Sequence, residues 1–146
     1  MESFPHHYQV KGSASPNGSV NLSSGGVSDI VSAPPVQFGG PGDKWSPESL
    51  LVAAVADCFI LTFKAIAKAS KFEWESLACE VEGVLEKSEN LISFTKYNIR
   101  ASLVIKQGIR HELASRLLEK AEKSCLITNS LSGETELSIE LIEGAG

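Results

Sequence analysis

Three cysteines, Cys58, Cys79 and Cys125, are the residues of this chain that are both scarce and intrinsically nucleophilic. A thiol attacks as its thiolate, and with an ordinary pKa of about 8.5 only a few per cent of it is ionised at neutral pH. The odd cysteine count, without a CxxC pair or Cys/His ligand spacing, disfavours a disulfide scaffold and a structural zinc site. We therefore expect thiol chemistry with no metal and no cofactor.

The surroundings of the three thiols differ. Cys79 alternates with Leu77 and Val81 along a predicted strand, where a buried cysteine packs as a small hydrophobe. Cys58 lies within an apolar helical segment, whose geometry suits a core thiol as well as a reactive one. Because Cys58 is far from the helix start and its neighbour Asp57 is an acid, activation requires a basic group from elsewhere.

The segment that carries Cys58 has a clear helix start. Ser46–Glu48 supplies an N-cap hydroxyl, a proline at the first helical position and an acid near the positive end of the dipole. Residues 50–69 are apolar on nearly every face, which predicts a helix surrounded by protein, including a second copy of the chain. Asp57 and Lys64 make it a core helix rather than a membrane span.

The remaining patterns predict one α+β domain over residues 1–146, with antiparallel sheets around the long buried helix and a second helix. Cys125 ends the second helix, on its inward-facing stripe. The predicted elements are a hairpin of Tyr8–Ala14 and Ser19–Ser23, a short strand at Ile30–Ala33, the long helix, strands at Trp74–Lys87 and Leu91–Lys106, a helix at His111–Cys125 and a final strand at Glu134–Ile142.

Charge and the N-terminal sequence narrow the function classes. The net charge of -5 arises from 18 acidic and 13 basic residues, and no basic run follows a phosphate backbone, so nucleic acid is not an expected partner. Residues 1–10 contain an acid, two histidines and a proline where a signal peptide needs a basic start and an apolar stretch. We expect a cytoplasmic protein without a membrane partner.

Two stretches resemble the OsmC/Ohr family. Trp45–Phe59 resembles its central-helix signature, in which an asparagine or serine and Pro-Glu lead through an alanine-rich helix to a cysteine ten residues after the glutamate. Glu48 and Cys58 meet that spacing. Lys120–Leu131 resembles the context of the family's second cysteine, and the order of predicted elements matches across essentially the whole chain.

The resemblance implies an OsmC-like fold, an intertwined homodimer with sites at the subunit interface, and a peroxidase reaction. It implies that Cys58 attacks the O–O bond of an organic hydroperoxide and that Cys125 resolves the sulfenic acid into a disulfide. A dithiol, in some members a lipoylated protein, then reduces that disulfide. Glu48 is implied as the carboxylate that orients a basic group.

The basic group itself departs from the family pattern. Peroxidases of the family carry an arginine, often in the first hairpin, whereas the arginines here are Arg100, Arg110 and Arg116. Lys11 and Lys44 are the candidate thiolate-stabilising cations, although a lysine lacks the planar fork of a guanidinium.

Two further features constrain the site. Ten helical residues span about 15 Å, so another chain segment, another subunit or a helix break must connect Glu48 to Cys58. The proline common after the family's second cysteine is replaced by Leu126.

Three interpretations therefore remain at the level of sequence. The first is a thiol peroxidase that uses Cys58 and Cys125. The second is a divergent, non-peroxidase OsmC-like homodimer that binds an apolar or electrophilic small molecule at the interface thiol. The third is a structural domain in which both cysteines only pack.

Overall fold

The computed structural model describes residues 1–144, and the chain divides into two compact units. The first unit is Met1–Leu51 and the second begins at Val52. Helix α1, Pro47–Ala69, starts in the first unit and continues into the second. The single domain expected over residues 1–146 stays a prediction.

The first unit contains a three-stranded antiparallel sheet in the order β1-β2-β3. Its strands are β1, Lys11–Ser13, β2, Val20–Ser23, and β3, Ile30–Ser32. Gly18 has a φ of 97° in the reversal between β1 and β2, a conformation that glycine adopts without steric cost. The predicted hairpin and the short third strand are confirmed.

The start of α1 is fixed by two serines. Ser49 donates its backbone N–H to the Ser46 hydroxyl at 3.1 Å, and Ser46 donates its own N–H to the Ser49 hydroxyl at 2.9 Å. These reciprocal bonds satisfy donors that a helix start leaves without intrahelical partners. The predicted N-cap and the helix start at Pro47 are confirmed.

The second unit is built on a three-stranded sheet in the order β4-β5-β6. Its elements are β4, Ser76–Ser88, β5, Leu91–Ile105, α2, His111–Ser124, α3, Leu126–Asn129, and β6, Glu134–Glu143. Strand β4 is antiparallel to β5, as predicted, but β6 is parallel to β5. The α+β class is confirmed, and the purely antiparallel sheet is corrected: a crossover through helices returns the chain so that the next strand runs in the same direction.

The core of the second unit lies between β5 and the two longer helices. Every second residue of β5 from Tyr97 to Ile105 is buried, because strand side chains alternate between faces. Residues spaced four apart on one face of α1 pack in the same core cluster, and so does one face of α2. The buried helical residues are Val55, Phe59, Phe63 and Ala67 on α1 and Ala114, Leu117, Leu118 and Ala121 on α2.

Helix α1 is buried on only one face within a single chain. Leu61, between the buried Phe59 and Phe63, is 55% exposed, so the burial expected on all faces is not reached by one copy. By length and composition alone α1 could cross a membrane, a test that the core helix of a soluble protein also passes. Part of the apolar surface of α1 is therefore open in one chain.

Candidate functional site

The second unit brings Cys58 and Cys125 together. Cys58 is partly buried on α1, immediately before the fully buried Phe59. Cys125 is 1% exposed at the junction of α2 and α3, where its extended backbone interrupts the two helices. Cys125 lies near enough to Cys58 to contribute to lowering the pKa of Cys58, and both residues are free cysteines. The two thiols singled out in the sequence thus form one site.

Three further donors surround the Cys58 sulfur. The Thr62 hydroxyl, one helical turn later on α1, lies 3.8 Å from Sγ. The backbone N–H groups of Ile127 and Leu126 lie near enough to this sulfur to contribute to lowering the pKa of Cys58. Both belong to the first turn of α3, where helical N–H groups have no intrahelical acceptor and are free to bind another group.

This donor set favours the ionised form of Cys58. Burial alone would raise the pKa of the thiol, but the hydrogen bonds from Ile127, Cys125, Thr62 and Leu126 outweigh it and lower the pKa below its ordinary value. Within residues 52–144 the groups that lower it are neutral donors rather than lysine or arginine. Hydrogen bonds therefore provide part of the stabilisation of the Cys58 thiolate that we expected from a cation.

Cys125 is shifted in the opposite direction. Burial raises its pKa, hydrogen bonds from the backbone and hydroxyl of Thr128 oppose that effect, and the bonded, negatively charged Cys58 raises it further. The Thr128 hydroxyl also donates to the Cys125 carbonyl at 3.2 Å, which fixes the α2–α3 junction. Of the two thiols, Cys58 is therefore the one that ionises more readily.

Cys79 is the least ionisable of the three thiols. It lies on β4 opposite Ala101 and packs against the core cluster. Burial, with a smaller contribution from Cys125, raises its pKa to about 11. A thiol that stays protonated at neutral pH fits the packing role predicted for this residue.

The other predicted site residues, Glu48, Lys44 and Lys11, belong to the first unit. Helix α1 runs without a break past both Glu48 and Cys58, which excludes a helix break as the connection between them. The Oε1 atom of Glu48 is buried without a hydrogen-bond partner within residues 1–144. Lys44 forms an ion pair with Asp43 at 3.1 Å, and Lys11 is exposed at the start of β1.

Metal-ligating residues do not cluster in the described part of the chain. In residues 1–144 no group of three or more histidine, cysteine, aspartate or glutamate side chains is placed to hold a metal ion. His111 instead contacts Glu143 at 3.1 Å, joining the start of α2 to the end of β6.

Four residues of this site were not predicted from the sequence: Thr62, Leu126, Ile127 and Thr128. The four-residue spacing from Cys58 to Thr62 was the one available signal, because residues four apart share a helix face. The N–H groups of Leu126 and Ile127 are backbone groups that nearly every residue has, so the residue type does not identify them. Their position depends on a four-residue helix that periodicity cannot detect.

Comparisons with known proteins identify the family of this chain. The model of the family described as OsmC-like protein matches residues 40–140. The uncharacterized protein YmaD of Bacillus subtilis is 31% identical over 140 residues, covering 92% of this chain and 93% of that protein.

Two solved structures share the fold. An OsmC-like protein of unknown function from Vibrio cholerae has a TM-score of 0.85 at 20% identity, covering 92% of this chain and 99% of that one. An organic hydroperoxide resistance protein from Elizabethkingia anophelis has a TM-score of 0.77 at 19% identity, covering 98% and 100%. At these identities the likeness establishes the fold.

Proposed function

Because this chain belongs to the family of OsmC-like proteins, we propose that it is a thiol-dependent peroxidase that reduces organic hydroperoxides. The observation that carries the proposal is the proximity of a Cys58 thiol of lowered pKa to a Cys125 thiol of raised pKa. A nucleophile and a second thiol in contact are what reduction of a peroxide followed by disulfide formation requires.

In the proposed reaction the Cys58 thiolate attacks the outer oxygen of the hydroperoxide. The O–O bond breaks, Cys58 becomes a sulfenic acid, and the departing alkoxide takes up a proton to become an alcohol. The Cys125 sulfur then attacks the Cys58 sulfur, forming the disulfide and releasing water. An external dithiol, of which a lipoylated protein is one candidate, restores both thiols and is itself oxidised to a disulfide.

The surface beside Cys58 suits an apolar substrate. Leu61 is on the same side of α1, three residues from Cys58, and is 55% exposed. Leu126, whose backbone donates to Cys58, has a side chain that is 66% exposed. Burying the alkyl part of a hydroperoxide against such side chains contributes about 25 cal/mol per Å² of apolar surface removed from water. We therefore propose alkyl hydroperoxides rather than hydrogen peroxide as substrates.

A second copy of the chain is the proposed cover for the open face of α1. One chain leaves Leu61 exposed and leaves Glu48 Oε1 without a partner in residues 1–144, and both features call for contacts from another molecule. We propose that the partner copy provides a donor to Glu48, with Lys11 and Lys44 as the candidate cations. Sedimentation analysis should give a dimer for wild type and a monomer for Leu61→Glu. The matched control Leu91→Glu, in the β4–β5 turn region, should stay dimeric.

The alternative function is a divergent, non-peroxidase homodimer that binds an apolar or electrophilic ligand at the same thiol. The observation that favours it is the neutral donor set, which contains no lysine or arginine within residues 52–144. Under this alternative Cys58 would react with electrophiles, yet hydroperoxide would not convert it to a sulfenic acid.

Trapping the intermediate separates the two functions. Cys125→Ser should retain the Cys58 sulfenic acid after one equivalent of cumene hydroperoxide, and dimedone should label that cysteine in intact-mass and peptide analysis. Wild type treated in the same way should lose two hydrogens as the disulfide forms. A Cys125→Ser protein that alkylates at Cys58 but gains no dimedone would favour the ligand-binding alternative.

A further inference from the structure

Thr62 lies one turn after Cys58, in a part of α1 that packs against the core. The neighbouring Phe59 and Phe63 are fully buried, and Phe63 packs edge-on against Trp74 with ring centroids 5.3 Å apart. This packing fixes the backbone that carries Cys58 and Thr62. Because residues four apart share a helix face, the hydroxyl and the thiol point to the same side of α1.

The hydroxyl of Thr62 is directed at sulfur rather than at the backbone. A threonine inside a helix commonly donates to the carbonyl three or four residues earlier, which here includes the carbonyl of Cys58 itself. Over residues 1–144, however, the hydrogen-bond partner of Thr62 Oγ1 is Cys58 Sγ at 3.8 Å. Packing does not require that hydroxyl, because a valine has nearly the same shape.

We propose that Thr62 is a positioning residue whose hydroxyl donates a hydrogen bond to the Cys58 thiolate and holds it toward the Cys125 segment. A thiolate has no proton, so in the ionised pair only the hydroxyl can be the donor. The bond between Thr62 and Cys58 stabilises the charged sulfur more than the neutral thiol. It also selects one rotamer of Cys58, which keeps the sulfur beside the thiol that is to attack it.

Only the effect of Thr62 on the peroxidase reaction depends on the proposed function. The bond itself acts on the thiol whatever the substrate is, and its test therefore uses no hydroperoxide. The titratable group that faces Cys58 from the α2–α3 segment is Cys125, and the neighbouring carboxylate on α1 is the exposed Asp57. Both remain unchanged in the variants.

The test is the pH dependence of Cys58 alkylation by monobromobimane, with the adduct located by peptide mass spectrometry. Thr62→Val should raise the midpoint of the pH profile and slow labelling at pH 7 by about three- to tenfold. Thr62→Ser, which keeps the hydroxyl, should label at nearly the wild-type rate. Thr62→Ala provides a second variant without the hydroxyl and should be slowed in the same direction.

Thr95→Val is the matched control, because it removes an exposed hydroxyl on β5 that bonds to Val84 and Glu86 rather than to a thiol. It should label like wild type. A Thr62→Val protein with an unchanged midpoint and rate would overturn the proposal, and so would a Thr62→Ser protein slowed as much as Thr62→Val. Altered labelling in a protein that proves inactive toward hydroperoxides would support the role of Thr62 while rejecting the peroxidase function.

Discussion

Replacing Leu126 with proline removes one specific donor from the Cys58 sulfur. Leu126 is the first residue of α3, and its N–H is one of the groups that lower the pKa of Cys58. Proline fits the first position of a helix, and the extended backbone of Cys125, with ψ of 110°, is compatible with a following proline. The Leu126 side chain is 66% exposed, so little packing is lost.

The magnitude follows from the kind of bond removed. A hydrogen bond to a charged group contributes about 1.5 to 3 kcal/mol. Cys58 is only partly buried, so water replaces part of the lost bond, and about 1 kcal/mol remains as the expected effect. That energy corresponds to about a fivefold smaller thiolate population at a fixed pH below the pKa.

The assay is the rate of Cys58 carboxamidomethylation by iodoacetamide at pH 7, followed by intact mass and assigned by peptide mapping. Leu126→Pro should react several-fold more slowly than wild type. Leu126→Ala is the control, because it shortens the side chain and keeps the N–H, and it should react at the wild-type rate. If both variants react as wild type does, the α3 backbone does not stabilise the thiolate and the reasoning fails.

Three further predictions concern the second unit. Phe59→Ala should lower the free energy of unfolding in urea by about 3 to 5 kcal/mol, whereas Leu91→Ala, at an exposed position, should change it far less; equal losses would contradict the core assignment. Gly133→Ala places a Cβ 2.9 Å from the buried Tyr97 ring and should cost about 1 to 3 kcal/mol in the same assay, so an unchanged midpoint would show that the contact relaxes. The pKa of Cys79, about 11 in the folded protein, lies above its ordinary value, so its stabilising contribution is present at neutral pH and lost as pH rises toward 11. Wild type should therefore lose more stability over that range than Cys79→Ala, and parallel losses would argue against a buried thiol.

The sequence predicted those elements whose limits are set by local chemistry. Ser46 and Pro47 fixed the start of α1 because the N-cap hydroxyl and the proline act within one turn. Alternating apolar residues predicted β4 and β5, because successive side chains of a strand point to opposite faces of the sheet. The direction of β6 was not predictable in this way, since an alternating pattern is the same in parallel and antiparallel pairs.

The candidate site was predictable in part. The resemblance identified Cys58 and Cys125 by residue type and context, and the structure places them together. The donors from Leu126 and Ile127 are backbone groups, so the identity of the side chains does not predict them. Their contact with Cys58 depends on how the α2–α3 junction packs beside α1, which is a tertiary property beyond the reach of sequence spacing.

The proposed function rests on Cys58 as the nucleophile, and steady-state consumption of cumene hydroperoxide with dihydrolipoamide as the reductant tests it most directly. Wild type and Cys79→Ala should consume the hydroperoxide at similar rates, because Cys79 is outside the proposed reaction. Cys58→Ser should reduce consumption to the rate without protein. Consumption by Cys58→Ser at the wild-type rate, or no consumption by wild type above that background, would contradict the assignment.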